Sequence, residues 1–248
     1  MQRPGRSIEL VLHVGGEPVP VHATRPPAHA RLDELLPAQR TVDDAAIHHA
    51  VRKAQAAGRE PACAKGCSAC CRAQPVPVAP QEAYALLRLV EALPAARRAT
   101  VEARFADRVR RLQDAGLAEL LLEPPPGVDT TAARAIAQAY FALHLACPFL
   151  QDDACSIHPQ RPFVCRQYLV SSDPALCTDP FANPVQVIPV PLRAAHAALA
   201  IAQAAYARAQ RSVPLVLALA YARRHRRELE RRFAAEPMFR AWLDALAT

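Results

Sequence analysis

The chain has 248 residues, 52% of them hydrophobic but only 5% aromatic, with 24 prolines, seven glycines and eight cysteines. That length allows one large domain or two small ones, and the prolines argue for many punctuated helices and extended connectors rather than one long bundle. The formal charge of +7 invites an anionic partner. Much of the excess, however, lies in stretches such as 222–232, where Arg223, Arg224, Arg226, Arg227, Arg231 and Arg232 alternate with Glu228 and Glu230 as on a solvated helix face. No stretch approaches the ~18 apolar residues of a membrane span, and the alternating run after Arg3 and Arg6 lacks the apolar block of roughly 7–15 residues of a secretory leader. The expectation is a cytoplasmic protein, not in the membrane, in which thiols stay reduced and clustered cysteines bind metal rather than pair as disulfides.

From Ser7 to Ala23, Ile8, Leu10, Leu12 and Val14 alternate up to Gly15-Gly16 and the pattern resumes at Val19 and Val21. Period two around a Gly-Gly turn predicts a β-hairpin, with Pro18 and Pro20 confining the second strand to an edge. A linker follows at Arg25–Pro27. A helix is predicted over Thr41–Gly58 with Thr41 as N-cap; His48 and His49 on it are expected to face solvent. The first cysteines come next, then the extended Pro75–Pro80, with Pro80 placed to open a helix ending near Leu93. Another helix is predicted from Pro94 to Gly116, a stiff connector at Pro124–Gly127, and an apolar helix over Thr130–Ala146 that leads into Cys147. Phe181–Pro191 is broken by proline. Helices are predicted at about Leu192–Arg211, Pro214–Ala235 and Pro237–Ala247. The reading is mainly α, a compact helical domain with a short N-terminal β-hairpin and a loop-built cysteine metal site. It divides as 1–40 (hairpin and linker), 41–180 (metal-binding domain) and 181–248 (a helical extension packed on it).

All eight cysteines fall in two windows: Cys63, Cys67, Cys70 and Cys71, then Cys147, Cys155, Cys165 and Cys177. Four cysteines on a glycine-containing loop have no core face to fill, which argues against inert buried thiols. Two residues between Cys67 and Cys70 let both sulfurs turn toward one ion at about 2.3 Å, and Gly66 can supply the unusual backbone angles of such a knuckle. Adjacent Cys70 and Cys71 point apart in an extended chain, so either two nearby centres or one multi-metal cluster is expected. In the second window Pro148, Pro159 and Pro162 stiffen the backbone. Arg161 and Arg166 flank the cysteines, as hydrogen-bond donors to sulfur or as ordinary surface residues. His158 ranks below every cysteine as a ligand. All-sulfur ligation suits zinc or an iron–sulfur cluster and excludes magnesium and calcium. Eight ligands exceed the need of one structural zinc, which favours iron–sulfur.

The ordered series Cys63…Cys67…Cys70-Cys71, Cys147-Pro148-Phe149-Leu150, Cys155-Ser156-Ile157-His158 and Arg161-Pro162-Phe163-Val164-Cys165-Arg166 resembles the YkgJ-type cysteine-cluster family, a CxxCxxCC zinc- or iron-chelating domain. The chain departs from the family pattern in the three residues between Cys63 and Cys67 and in His158, where Tyr is common. Cys177 lies outside the core pattern. The family is distantly similar to flagellin lysine methylases, which use an iron–sulfur centre with S-adenosylmethionine. The chemistry of the cysteines gives as the leading reading a metal- or cluster-binding protein serving in metal handling, redox sensing or assembly, with a metal ion or cluster and a protein as its partners. The alternative that the resemblance implies is an iron–sulfur-dependent protein-modifying enzyme. No GxGxxG, P-loop, GxSxG or HExxH motif occurs. Aromatic residues near the cysteines are limited to Phe163 and Tyr168, which speaks against nucleic-acid binding.

Overall fold

The computed structural model describes residues 7–124, 129–206 and 212–247. The hairpin forms as its alternation predicts: β1 (Ser7–Val14) pairs antiparallel with β2 (Glu17–Thr24), with Val14 opposite Glu17. Gly15 and Gly16 take φ of 60° and 86°, the left-handed pair that a two-residue hairpin turn demands. Leu12, Val14, Val19, Val21 and Ala23 form the buried face, while Val11 on the opposite face is exposed. Among the described residues β2 pairs with β1 alone, as its prolines require.

The buried face of β2 packs on α1 (Leu36–Ala56), which begins ahead of the predicted Thr41. Pro37 sits in the first turn, where its missing N–H goes unneeded, and Thr41 lies inside the helix with its hydroxyl donating to the Pro37 carbonyl at 3.1 Å. Before α1, the 3₁₀ turn Leu32–Leu35 buries Leu32 and Leu35, and β3 (His29–Ala30) pairs with residues 233–234 near the other end of the chain. The expectation that both α1 histidines face solvent fails at His49. That ring is 8% exposed, with Nε2 3.5 Å from Glu17 of the hairpin turn, whereas His48 is exposed.

After the first cysteine loop, β4 (Pro77–Val78) leads into α2 (Pro80–Glu91) with Pro80 at its first turn, as predicted. α3 (Ala95–Asp114) follows Pro94, and α4 (Ala118–Leu122) is a short helix that the sequence did not signal. Of the predicted proline connector, Pro125–Gly127 lies outside the described residues. α5 (Thr130–Ala142) stops short of Ala146, because His144 turns to φ 46° and the chain leaves the helix before Cys147. β5 (Leu150–Gln151) and β6 (Ala154–Cys155) form a tight hairpin whose turn residues, Asp152 and Asp153, both have positive φ. α6 (Phe163–Gln167) and α7 (Ala194–Tyr206) follow.

The helix predicted over Pro214–Ala235 is broken. β7 (Val213–Pro214) pairs with β4, α8 (Ala218–Arg224) and α9 (Arg226–Leu229) are separated at His225, and β8 (Phe233–Ala234) pairs with β3. Pairing with distant strands overrides local helix propensity here. α10 (Ala235–Asp244) closes the chain before the final 3₁₀ turn, Ala245–Ala247.

One buried apolar cluster joins the hairpin face to α1, α2, α3, α7, α8 and α10, with Trp242, Tyr140, Phe149 and Phe163 its largest fully buried side chains. Trp242 stacks on Phe163 at 6.0 Å and on Phe239 at 5.9 Å, and its indole N–H donates to the Ala194 carbonyl. The arginine-rich stretch is more than a solvated face. Arg223 reaches Glu102 of α3, Arg224 reaches Glu119 of α4 and Arg226 reaches Glu91 of α2. These exposed pairs link α8 and α9 to α2, α3 and α4 across the surface, while Ala218, Leu219, Tyr221 and Ala222 of α8 are buried in the core. Among the described residues no helix is long and apolar enough to cross a membrane.

Candidate metal centre

All eight cysteines are free thiols, none paired as a disulfide, and seven are partly exposed while Cys177 is buried. The two windows meet. The Cys147 N–H donates to the Cys71 carbonyl at 2.7 Å, joining backbone on either side of α2–α5. Ser68 Oγ donates to Asp153 Oδ1 at 3.0 Å, and Arg72 reaches the same carboxylate, locking the first loop onto the β5–β6 turn. Ala62 N–H donates to the Val170 carbonyl at 2.8 Å, and Gln74 Nε2 donates to the Cys177 carbonyl at 2.9 Å.

The first window is a loop for a physical reason. Gly66 takes φ of 93°, a conformation costly for any residue with a Cβ, and among residues 59–72 only Ser68 is buried. A 3₁₀ turn, Cys70–Arg72, ends the loop and brings the Cys70 and Cys71 sulfurs within 4.0 Å. The second window is held from behind by α3. Arg97 donates to the Ser156 carbonyl at 3.2 Å and Arg104 to those of Pro148 and Leu150 at 3.3 and 3.0 Å. Arg108 donates to Ala146 at 3.1 Å, and Arg111 to Leu143. The Leu150 N–H donates to the Cys147 carbonyl at 3.0 Å, and several backbone N–H groups lie close to sulfur. Those of Phe149 and Leu150 point at Cys147, that of Ile157 at Cys155 and that of Val170 at Cys63.

Cys165 rides on α6, whose first N–H, that of Phe163, donates to Glu82 Oε1 at 2.9 Å; the other Glu82 oxygen accepts from Ala79 N–H at 2.9 Å. Glu82 is fully buried, which raises its carboxyl above the ordinary range against the pull of these two donors. Arg166, next to Cys165, is neither a thiolate partner nor a surface residue. It is 6% exposed, pairs with Asp43 at 3.4 Å and with Asp44, and donates to the Pro159 carbonyl, so it anchors the Arg-Pro-x-x-Cys-Arg segment to α1.

The electrostatics follow from crowding sulfur away from water. Burial pushes Cys147 up to about 12 and Cys165 well above its ordinary value, and it also raises Cys63, Cys155 and Cys177. Beyond burial, Cys71 repels charge on Cys147, Cys155 and Cys165, whereas Cys63 and Cys67 repel charge on Cys177. The Cys70 and Cys71 sulfurs interact directly, so once one has lost its proton the other holds its own more tightly, and Cys70 is raised. The nearby Tyr168 hydroxyl favours the Cys177 thiolate. Arg161 favours the thiolate at Cys63, Cys71 and Cys155, and its buried Nε has no hydrogen-bond partner. Burial lowers the pKa of His158, as do Arg161 and Arg166. Arginine has no acceptor, so the His158 Nε2 accepts from Arg161 and is turned to it rather than to sulfur.

Among the described residues no group of three or more His, Cys, Asp or Glu side chains stands in ready-made ligating geometry, so ligation would draw the sulfurs inward. The donor chemistry nonetheless fits a thiophilic cation. It combines reduced thiols, N–H groups aimed at sulfur, mutual repulsion that a cation would relieve, and an orphaned guanidinium N–H among them. The sequence pointed to the cysteines and Arg161, but not to Ser68, Asp153, Glu82 or the α3 arginines. Of these, Asp153 in the pair Asp152-Asp153 carried a readable signal, since aspartate tolerates left-handed turns, and so did Glu82, three positions into a proline-opened helix.

Such a site on a helical frame defines a cysteine-rich metal-chelating domain. The family comparison agrees: residues 62–183, close to half of the chain and including every cysteine, match the CxxCxxCC family, described as a "Putative zinc- or iron-chelating domain", and the chain carries that domain. Neither the curated proteins nor the solved structures gave a match.

Proposed function

We propose that the clustered cysteines bind an iron–sulfur centre or zinc, with iron–sulfur favoured, and that the protein serves in metal handling, redox sensing or assembly. The observation that carries this reading is the Cys147 N–H to Cys71 carbonyl bond. It brings two sequence-distant cysteine windows together with every thiol free. The ligands would come from Cys63, Cys67, Cys70, Cys71, Cys147, Cys155, Cys165 and Cys177, with Arg161 as a second layer donating to sulfur and tuning affinity or potential. A bound centre would supply positive charge that holds buried sulfurs as thiolates. Ser68, Asp153, Glu82 and the α3 arginines orient the segments that present them.

Elemental analysis of anaerobically purified protein, with sulfide quantified beside iron and zinc, tests the proposal directly. Sulfide in step with iron supports the cluster; zinc without sulfide supports the mononuclear alternative. Cys67→Ser and Cys165→Ser are each expected to lower bound metal and the melting midpoint together. Unchanged metal content and melting in both variants would overturn the proposal.

A further inference from the structure

We infer that the eight cysteines form two adjoining four-cysteine metal sites rather than one: Cys63, Cys67, Cys70 and Cys177 in the first, and Cys71, Cys147, Cys155 and Cys165 in the second. This deepens the proposed metal-binding function and rests on it. The division runs between the neighbouring residues Cys70 and Cys71, and two features of the fold point to it.

The first is backbone connectivity. Cys71 belongs to the second window, because its carbonyl takes the N–H of Cys147 at 2.7 Å, and β5–β6 then sets Cys155 opposite Leu150. Cys177 belongs to the first window instead. Its carbonyl accepts from the Gln74 side chain at 2.9 Å while the Gln74 N–H donates to the Cys70 carbonyl at 3.1 Å, and Val170, seven residues before Cys177, takes through its carbonyl the Ala62 N–H next to Cys63. The result is a nested arrangement. The chain from Cys71 to Cys165 closes on itself, and the segments bearing Cys63–Cys70 and Cys177 wrap around that closure.

The second feature is local geometry. Cys70 and Cys71 begin a 3₁₀ turn, in which successive side chains leave the axis about 120° apart. Their sulfurs are still only 4.0 Å apart, so the two ligand sets meet edge to edge. Cys67 and Cys70 have the two-residue spacing that lets one ion take both sulfurs. Each set holds the four thiolates that a closed tetrahedral zinc or a cluster requires. Arg161, close to Cys63 of one set and to Cys71 and Cys155 of the other, is the common cation between them.

The test uses the full chain, stripped of metal under reducing conditions and titrated anaerobically with cobalt(II), then zinc, with bound metal counted by native mass spectrometry. Two equivalents should bind to the unaltered chain with thiolate-to-cobalt absorption growing through the second. Cys63→Ser, Cys70→Ser and Cys177→Ser should each retain one equivalent, and so should Cys71→Ser, Cys147→Ser and Cys155→Ser. Pairing two substitutions from the same set should cost no further metal, whereas Cys63→Ser with Cys155→Ser should abolish both. One equivalent in the unaltered chain, or Cys70→Ser and Cys155→Ser removing the same metal, would overturn the division while leaving metal binding intact. No metal in the unaltered chain would overturn the division and the proposed function together. The unaltered chain's stoichiometry decides the matter even if a variant fails to fold.

Discussion

Glu82 shows how far one side chain determines where a cysteine stands. Its two oxygens satisfy the Ala79 N–H that opens α2 and the Phe163 N–H that opens α6, two residues before Cys165. Glu82→Ala strands both donors in the interior, at roughly 1–3 kcal/mol each, so unfolding free energy should fall by about 2–6 kcal/mol in urea titrations. Glu82→Gln keeps one acceptor and should lose about half as much. Equal stability of the alanine variant and the parent chain would mean that neither bond matters. At this scale the sequence was legible only in part. An acidic residue three positions after Ala79 is a readable helix start, but its reach to Phe163 depends on the packing of α2 against α6. The same limit applies to His49, buried by the hairpin turn, and to Arg166, which looked like a flank of Cys165 and is instead clamped by Asp43 and Asp44 of α1.

At the scale of elements, α3 works as a clamp. Arg97, Arg104, Arg108 and Arg111 lie along one face of the helix and each donates to a carbonyl of the segment 143–156 that carries Cys147 and Cys155. Replacing Arg104 and Arg108 together with glutamine should free those carbonyls and loosen that segment without unfolding α3, whose Val101, Phe105 and Leu112 remain buried. Amide exchange within 146–156 should rise by an order of magnitude or more, about 1.4 kcal/mol of lost protection, while exchange in α2 and α7 stays unchanged. Uniform acceleration across the chain would show global destabilisation instead. The hairpin, α2 and α3 were legible because Gly-Gly and proline punctuate them, and α1 was legible except for its start, where Pro37 lies in the first turn rather than before it. The stretch 214–235 was not, since β7 and β8 gain their partners from residues far back in the chain. An arginine-rich helix such as α3 reads as solvated until the loop it holds is in place.

For the whole molecule, the question is what the cysteine loops would be without a metal. The apolar core runs from the hairpin to α10 and draws on the cysteine segments through Phe149, Ile157 and Phe163, but on nothing in 59–72, where Ser68 is buried with its hydroxyl bonded to Asp153. The first loop is therefore held by a few polar bonds, by Cys147 and Cys177 backbone contacts, and in the proposed function by metal. A ligand present at a thousand times its dissociation constant stabilises the folded state by about 4 kcal/mol. For a chain of this length that is worth roughly 8–16 °C of melting temperature. Stripping metal with a chelator under reducing conditions should lower the midpoint by that order, and the loss should be uneven. Amides in 59–72 should exchange at nearly unprotected rates, those in 143–178 should be partly exposed through their tie to α3, and those of α1, α2, α7 and α10 should keep their protection. A chelated protein that melts where the untreated one does, with the first loop still protected, would mean that Ser68, Asp153 and Arg72 fix the loop unaided and that metal is not part of what holds it.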